Sequence, residues 1–344
     1  MQKEITQKGP LLNEDGSLVE AGYAKSLIKD YDRKKIKAKK SRIKEWDYYL
    51  IYNADFAIAL TIDDNSYMGM TSVSLLDFKT VKEHTNSLIT FFTNGKTMLP
   101  ASSKEGDLLV ENKNIRISFN HIYNGRKLFL YMPSYLNGKP LEINVTLTDE
   151  PQESIVVMTP FKEKKTAFYY NQKIVGFKAD GYILFDGKKT EFDEKDTRAL
   201  LDWGRGVWTY KNTWYWSSGC FRAKNHEIGF NLGYGFGDLT NASENMVIVD
   251  GVVHKLDRVS FNIPQNEKGK DEFLKDWSFT SNDEKINLTF HPILDRHSDT
   301  NILILRSLQH QVFGYFSGYF ILETGEKITF EKKMAFAEKV YNKW

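Results

Sequence analysis

Along Ile115-Arg116-Ile117-Ser118-Phe119-Asn120, apolar and polar residues alternate, which puts both isoleucines and Phe119 on one face of an extended strand. Leu141-Glu142-Ile143-Asn144-Val145-Thr146-Leu147 repeats the pattern. Between them lies Lys127–Met132, set off by Asn124-Gly125 on one side and Asn137-Gly138 on the other. Such pairs accept the positive φ angles that tight hairpin turns require. Further Asp-Gly or Asn-Gly pairs fall at 15–16, 94–95, 180–181, 186–187 and 250–251. A second series of strands is predicted after residue 200, at 207–217, 226–232, 246–249, 252–263, 277–281, 285–291, 302–308, 314–322 and 327–332. Helical periodicity is scarce; the best helix candidate, 26–44, is mostly basic.

The patterns therefore predict an all-β protein with little helix, made of two antiparallel barrel or sandwich units. The expected divisions are a partly basic arm over 1–45, a first domain over 46–190 and a second over 191–344, separated by the charged stretch 186–196. A chain of 344 residues supports two ordinary cores. Its aromatic content of 14 %, with 23 Phe and 18 Tyr, favours barrels with ligand-sized interiors.

Charge and cysteine usage exclude several classes. A net charge of +2 gives no ground for a nucleic-acid partner. The single cysteine, Cys220, rules out an intrachain disulfide and a cysteine-based zinc site. The first ten residues lack the apolar core of a signal peptide. No apolar run approaches the ~20 residues of a membrane helix, so a cytoplasmic location is the default expectation. Nine Lys or Arg crowd Lys29–Lys44, interrupted by Asp30 and Asp32. That run suits either a solvated arm or a peripheral contact with anionic lipid headgroups.

Candidate chemistry concentrates at 202–219, which holds Trp203, Trp208, Trp214 and Trp216 around Asp202 and Arg205. Indole walls carrying a few polar groups line pockets for apolar or flat ligands, although aromatics also fill β cores. Charges rarely enter such a cluster unless paired or working. The glycines at 204 and 206 suggest a turn or bulge leading into strand 207–217, with Asp202 and Arg205 as an acid and its partner. The pair would bind a polar head, move a proton, or close a barrel end as a structural ion pair.

A second candidate is Asn231–Asn245, where Gly233, Gly235 and Gly237 alternate with Tyr234 and Phe236 ahead of Asp238, Glu244 and Asn245. No helix pattern and no Lys-Ser/Thr follow, so the segment is not a phosphate loop. A strand with one bare face leaves room for a ligand or a close backbone, and Asp238 and Glu244 would point acids there or shape the next turn. His310 is the histidine best placed to shuttle a proton, with a hydrogen-bonded core role as the alternative. His291, Asp295 and His297 have metal-like residue types but no third well-spaced ligand, so no metal and no cofactor are expected.

Four stretches carry a resemblance: Arg42–Tyr49, the 202–219 segment, Asn231–Asn245 and His310–Gly318. On these the chain resembles bacterial domain-of-unknown-function family 2804 over nearly its whole length. More distantly, the glycine-rich and tryptophan segments are similar to the tandem lipocalin-like superfamily of carotenoid hydratases, tocopherol cyclases and pericyclases. The resemblance implies two lipocalin-like domains and a large apolar substrate handled without a metal; fold-level likeness does not by itself fix function.

The reading of function that follows has three arms. In the first, an apolar, lipid or isoprenoid-like molecule binds in a Trp-rich barrel cavity, and Asp202, Asp238 or His310 supplies acid catalysis for a hydratase, cyclase or isomerase. Ligand contacts would come from Trp203, Arg205, Trp208, Trp214, Trp216, Tyr234, Glu244 and Asn245. The second arm is a lipid carrier or sensor without chemistry. The third is carbohydrate binding or cleavage, since indoles stack on sugars and paired carboxylates cleave glycosides. The pattern leaves the oligomeric state open.

Overall fold

The computed structural model describes residues 2–302 and 305–343. Among them there is no α-helix: strands follow one another with two short 3-10 turns, Arg33–Lys35 and Lys40–Arg42. The helix expected over 26–44 is absent. Tyr31, Lys29 and Lys44 are buried there, and the chain runs as the strand Lys29–Asp30 and the two turns before entering Ile43–Tyr52. Nor is 1–45 an arm, since Ile5, Leu11, Leu12, Tyr23 and Ala24 all enter the core, and Gly22–Ala24 pairs with Ile155–Phe161.

Two curled antiparallel sheets make up most of the molecule, beside a small parallel pair of Gly9–Pro10 with Lys29–Asp30; Ile155–Phe161 and Lys188–Phe192 join the first sheet by pairing with Lys164–Phe185. From one edge, the first runs Lys82–Phe91, Met68–Asp77, Phe56–Asp64, Ile43–Tyr52, Arg198–Val207, Lys164–Phe185, Lys139–Thr148, Gly125–Leu136, Ile115–Ile122 and Leu108–Asn112. Curling brings Tyr135 back to the far edge, where its carbonyl accepts from Asn86 Nδ2 at 2.9 Å. The second runs Val252–Lys255, Met246–Val249, His226–Tyr234, Lys211–Ala223, Lys327–Lys343, Leu305–Ile321, Ile286–Ile302, Trp277–Ser281 and Val259–Asn262. Of the strand expected at 302–308, Leu303 and Ile304 lie outside the described residues.

Most of the turn pairs act as expected. Asn137-Gly138, Asp186-Gly187 and Asp250-Gly251 each join paired strands with both residues at positive φ, the geometry of a two-residue hairpin turn. Asp180-Gly181 does not: it lies inside Lys164–Phe185, where Gly181 passes so close to Asn144 that a Cβ would sit 2.0 Å from its carbonyl oxygen. The strand expected at 207–217 is in fact broken at 208–210. Arg198–Val207 slots between Ile43–Tyr52 and Lys164–Phe185 of the first sheet, while Lys211–Ala223 belongs to the second. The sheets thus change over after the stretch 186–196, because ten residues beyond it complete the first sheet.

The outer faces of the two sheets meet in a broad seam. Tyr52 Oη donates to Cys220 O at 3.0 Å, Arg198 pairs with Glu227 at 2.9 Å, and Asp238 N donates to Pro160 O at 2.7 Å. Cys220, Phe313, Phe336 and Met334 of the second sheet join the hydrophobic cluster of the first. Gly204 lies on this seam, and a Cβ there would stand 1.9 Å from the Trp46 ring. Gly204→Ala should therefore destabilise by about 1–3 kcal/mol through overpacking, seen as a lowered thermal midpoint; an unchanged midpoint would mean that the seam yields.

Candidate functional site

Side chains on a strand point alternately to its two faces, and this separates Asp202 from Arg205. Both lie in the middle of Arg198–Val207, not in a turn, and they do not pair with each other. Arg205 points into the first sheet's interior, fully buried, with a guanidinium nitrogen 2.9 Å from Asp47. It also donates to the carbonyls of Pro100, Trp46 and Gly204 and lies 4.2 Å over the Trp203 ring. Trp203 is likewise a core residue of that interior, edge-on to Tyr31 and Tyr170.

Asp202 faces the seam. Its Oδ1 accepts from Asn171 Nδ2 at 2.6 Å and from Lys173 Nζ at 2.8 Å. Lys173 also lies 3.8 Å from Glu244 Oε2 and 4.0 Å over the Trp216 ring, so one cation from the first sheet meets an acid and an indole of the second. Trp216 Nε1 donates to Asn231 Oδ1 at 2.7 Å, and Asn231 Nδ2 donates to the Glu244 carbonyl at 3.0 Å. Gly233 makes space for this acid, because a Cβ there would lie 2.3 Å from Glu244 Oε1.

A third carboxylate, Glu338 of Lys327–Lys343, completes the cluster. It accepts from Trp214 Nε1 at 3.0 Å, Gln311 Nε2 at 3.1 Å and Gln309 Nε2 at 3.4 Å. Gln311 in turn accepts from Arg296 at 2.8 Å and from Tyr48 Oη at 3.3 Å. Burial pushes the Glu338 carboxyl up to about 7, against the pull of Trp214 and Lys173. Burial also raises Glu244, which Lys173 opposes and Asp202 reinforces. The Tyr169 phenol is pushed far up by burial and by the nearby acids Glu244, Asp202 and Glu338. Such a set keeps a proton on a carboxyl near neutral pH.

Aromatic rings wall off one side of these acids. Phe236 stands edge-on to Trp208, Trp214, Tyr169 and Phe161, with centroids 4.8–5.3 Å apart. Trp46 stacks on Tyr169 and meets Trp208 edge-on. Beside this wall, and sharing Phe161 with it, opens a cleft of about 1160 Å³ whose other lining is mostly polar and charged, Lys162, Lys211, Asp238, Lys255 and Arg258 among it. The tryptophans expected to line a barrel interior thus divide: Trp203 does face one, packed solid, whereas Trp208, Trp214 and Trp216 face the seam.

The remaining expected residues lie apart from the acids. Asp238 lines the cleft, where it accepts from Thr240 N and Oγ1 in a local turn and lies 3.6 Å from Lys162; its pKa is lowered, chiefly by the Thr240 hydroxyl. Tyr234 stacks on Tyr215 with centroids 4.5 Å apart at the same cleft. Asn245 clamps the glycine-rich segment, accepting from Gly233 N at 2.6 Å and donating to Asp257 O at 2.7 Å. His310 turns away from the seam that its neighbour Gln311 enters; its Nδ1 is 2.7 Å from Asp295 and its ring stacks on Phe273 and His297.

Sequence patterns had missed Lys173, Glu338, Asn171, Tyr169, Tyr48 and Gln311. Two signals were present. Asn171-Gln172-Lys173 is a polar trio between Tyr170 and Ile174 in an apolar strand, and Glu338 shares a face with Phe336 and Val340. Among the described residues, no group of three or more His, Cys, Asp or Glu could hold a metal ion, and no helix is long and apolar enough to cross a membrane.

Fold and site together define a class: a tandem, lipocalin-like pair of curled antiparallel sheets with a polar cluster in the seam between them. The chain belongs to the family described as Domain of unknown function (DUF2804), whose model matches residues 2–344. No curated protein matches it. A solved structure from Nitrosomonas europaea, provisionally designated AttH, is similar with a TM-score of 0.52 at 11 % identity, covering 87 % of this chain and 92 % of that one. Kievitone hydratase from Nectria haematococca gives 0.45 at 12 % identity, covering 88 % of each chain. At these identities the likeness concerns fold alone.

Two outcomes test the cluster. Lys173→Met leaves Asp202 and Glu244 facing each other without a cation and should cost about 3–5 kcal/mol, part of which Asp202→Asn in the same chain should restore. Chemical unfolding of the single and double variants measures both. Glu338 binds a proton in the folded state between its ordinary 4.5 and about 7, where the unfolded chain has lost it. Wild-type stability should therefore fall as pH rises through that window, by up to about 3 kcal/mol, relative to Glu338→Gln, which does not titrate. A constant gap between the two from pH 4.5 to 7 would refute the raised pKa.

Proposed function

We propose that this protein binds a small molecule with an apolar body and a polar head, the head in the polar cleft and the body toward the aromatic wall that meets the cleft at Phe161, and that the acids beside the wall exchange a proton with it. The chemistry that fits is that of a hydratase, cyclase or isomerase. One observation carries the reading: three carboxyls, Asp202 and Glu338 buried and Glu244 partly so, gather around a single lysine, Lys173, beside a screen of indoles. An excess of buried acid holds a proton, and indole faces stabilise a cation. Protonating an alkene carbon leaves a cation on its neighbour. Water then adds there and loses a proton, an adjacent proton leaves, or a second double bond closes a ring and the cation this makes in turn sheds a proton. Each route returns the proton first given, so no cofactor is consumed.

A carrier role has its own support. Both Glu338 oxygens already accept from protein donors, and a carboxyl held in that way is equally suited to grip a ligand's hydroxyl head. An isoprenoid alcohol titrated into the protein should shift tryptophan emission. Trp214→Ala should weaken binding roughly ten- to hundredfold, the worth of a lost aromatic contact. Mass spectrometry of solvent extracts identifies what the purified protein carries. With that compound as substrate, Glu338→Gln or Asp202→Asn should leave affinity nearly intact and abolish conversion if the protein is an enzyme. Unmoved emission together with an empty extract would sink both readings.

A further inference from the structure

The first sheet's edge strand, Lys82–Phe91, meets Tyr135 at His84 and Asn86, and beyond that contact its exposed apolar side chains gather at one tip. Ile89 is 53 % exposed, Phe91 70 %, Phe92 71 % and Met98, in the turn that follows, 77 %. Water-facing phenylalanines at a loop tip cost solvation energy unless something covers them. The turn is also rigid. Phe92 and Met98 are held at φ of 57° and 58°, unusual for bulky residues. Asp64, fully buried, fixes the turn by accepting from Thr93 Oγ1 at 2.8 Å, Gly95 N at 2.9 Å and Thr97 Oγ1 at 3.0 Å. Phe92 N and Asn94 N donate to the carbonyls of Tyr67 and Ser66. Strained backbone held this firmly presents the side chains in a fixed pose.

The basic segment lies against the same turn. Arg33 pairs with Glu45 and donates to Ser66 Oγ at 3.0 Å, and a Cβ on Gly95 would stand 2.6 Å from its Nε. From Arg33 the chain continues through Lys34, Lys35, Lys37, Lys39 and Lys40, all exposed, and the turn itself adds exposed Lys96. Apolar tip and lysine belt are therefore one surface, tied together through Arg33, Ser66 and Asp64.

We propose that this surface docks on an anionic lipid bilayer, with Ile89, Phe91, Phe92 and Met98 entering the headgroup boundary and the lysines meeting lipid phosphates and carboxylates. Charge complementarity selects this partner. A two-fold contact with a second copy would set one lysine belt against the other, whereas an anionic surface neutralises it. The placement of the apolar residues agrees: they cluster at the tip rather than along the edge strand, as insertion requires and strand pairing does not.

Vesicle co-sedimentation tests the proposal, using phosphatidylcholine alone and phosphatidylcholine mixed with phosphatidylserine. The full chain should pellet with the mixed vesicles and not with phosphatidylcholine. Lys34→Glu with Lys35→Glu should weaken partitioning by roughly fivefold or more for each lysine. Phe91→Ser with Phe92→Ser should weaken it at least tenfold while thermal melting stays unchanged, since both rings are exposed. Failure of the wild type to bind mixed vesicles would overturn the proposal. So would binding that survives the phenylalanine substitutions, or a wild-type dimer in sedimentation velocity that those substitutions dissolve.

Discussion

Lys173 is the pivot of this molecule. Its ammonium group leaves the first sheet, meets Asp202 of its own sheet and Glu244 of the other, and lies over an indole of the second sheet. Here the buried lysine is met by carboxylates, and Asp202 and Glu244 by its cation, so each offsets the cost of burying the other. The two sheets therefore cannot separate or slide without stranding charge. The sheets held together in this way bury the acids beside the indoles, and burial raises the Glu338 carboxyl against the pull of Lys173 itself.

The seam joins two materials. Toward Tyr52, Cys220, Phe313 and Phe336 it is an ordinary apolar interface continuous with the first core, which supplies adhesion. Toward Trp208, Trp214 and Phe236 it is aromatic, a cation-tolerant wall that meets the cleft only at Phe161. The first sheet's interior is filled around Trp203 and Arg205, while the cleft opens beside Leu256 and Val259 of the second core; the acids themselves lie in the seam. The exposed Phe91–Met98 tip lies at a different place, at the end of the first sheet's edge strand, and is served by its own anchor, Asp64.

Much of this was written locally. Alternation gave the strands at 115–122 and 139–148, because a half-buried strand must repeat every two residues. Asn137-Gly138, Asp186-Gly187 and Asp250-Gly251 gave hairpins, because few other pairs take two consecutive positive φ angles. Resemblance over whole segments gave the family. The basic composition of 26–44 misled, since Lys29, Tyr31 and Lys44 are buried, with Tyr31 packed on Trp203 and the Lys29 carbonyl accepting from Tyr170 far along the chain.

By itself, then, the sequence determined that the chain is β throughout, where most of its turns fall and that tryptophans gather near acids after residue 200, all properties of short windows. Only the tertiary structure decided which acid meets which base. Asp202 and Arg205, three residues apart, point to opposite faces of one strand and never pair, while Lys173, Glu244 and Glu338 come from three separate strands or loops to meet Asp202 and Trp214. Periodicity records which face a residue takes, but the neighbour on that face is set by how one sheet packs on another, and no local pattern encodes that distance.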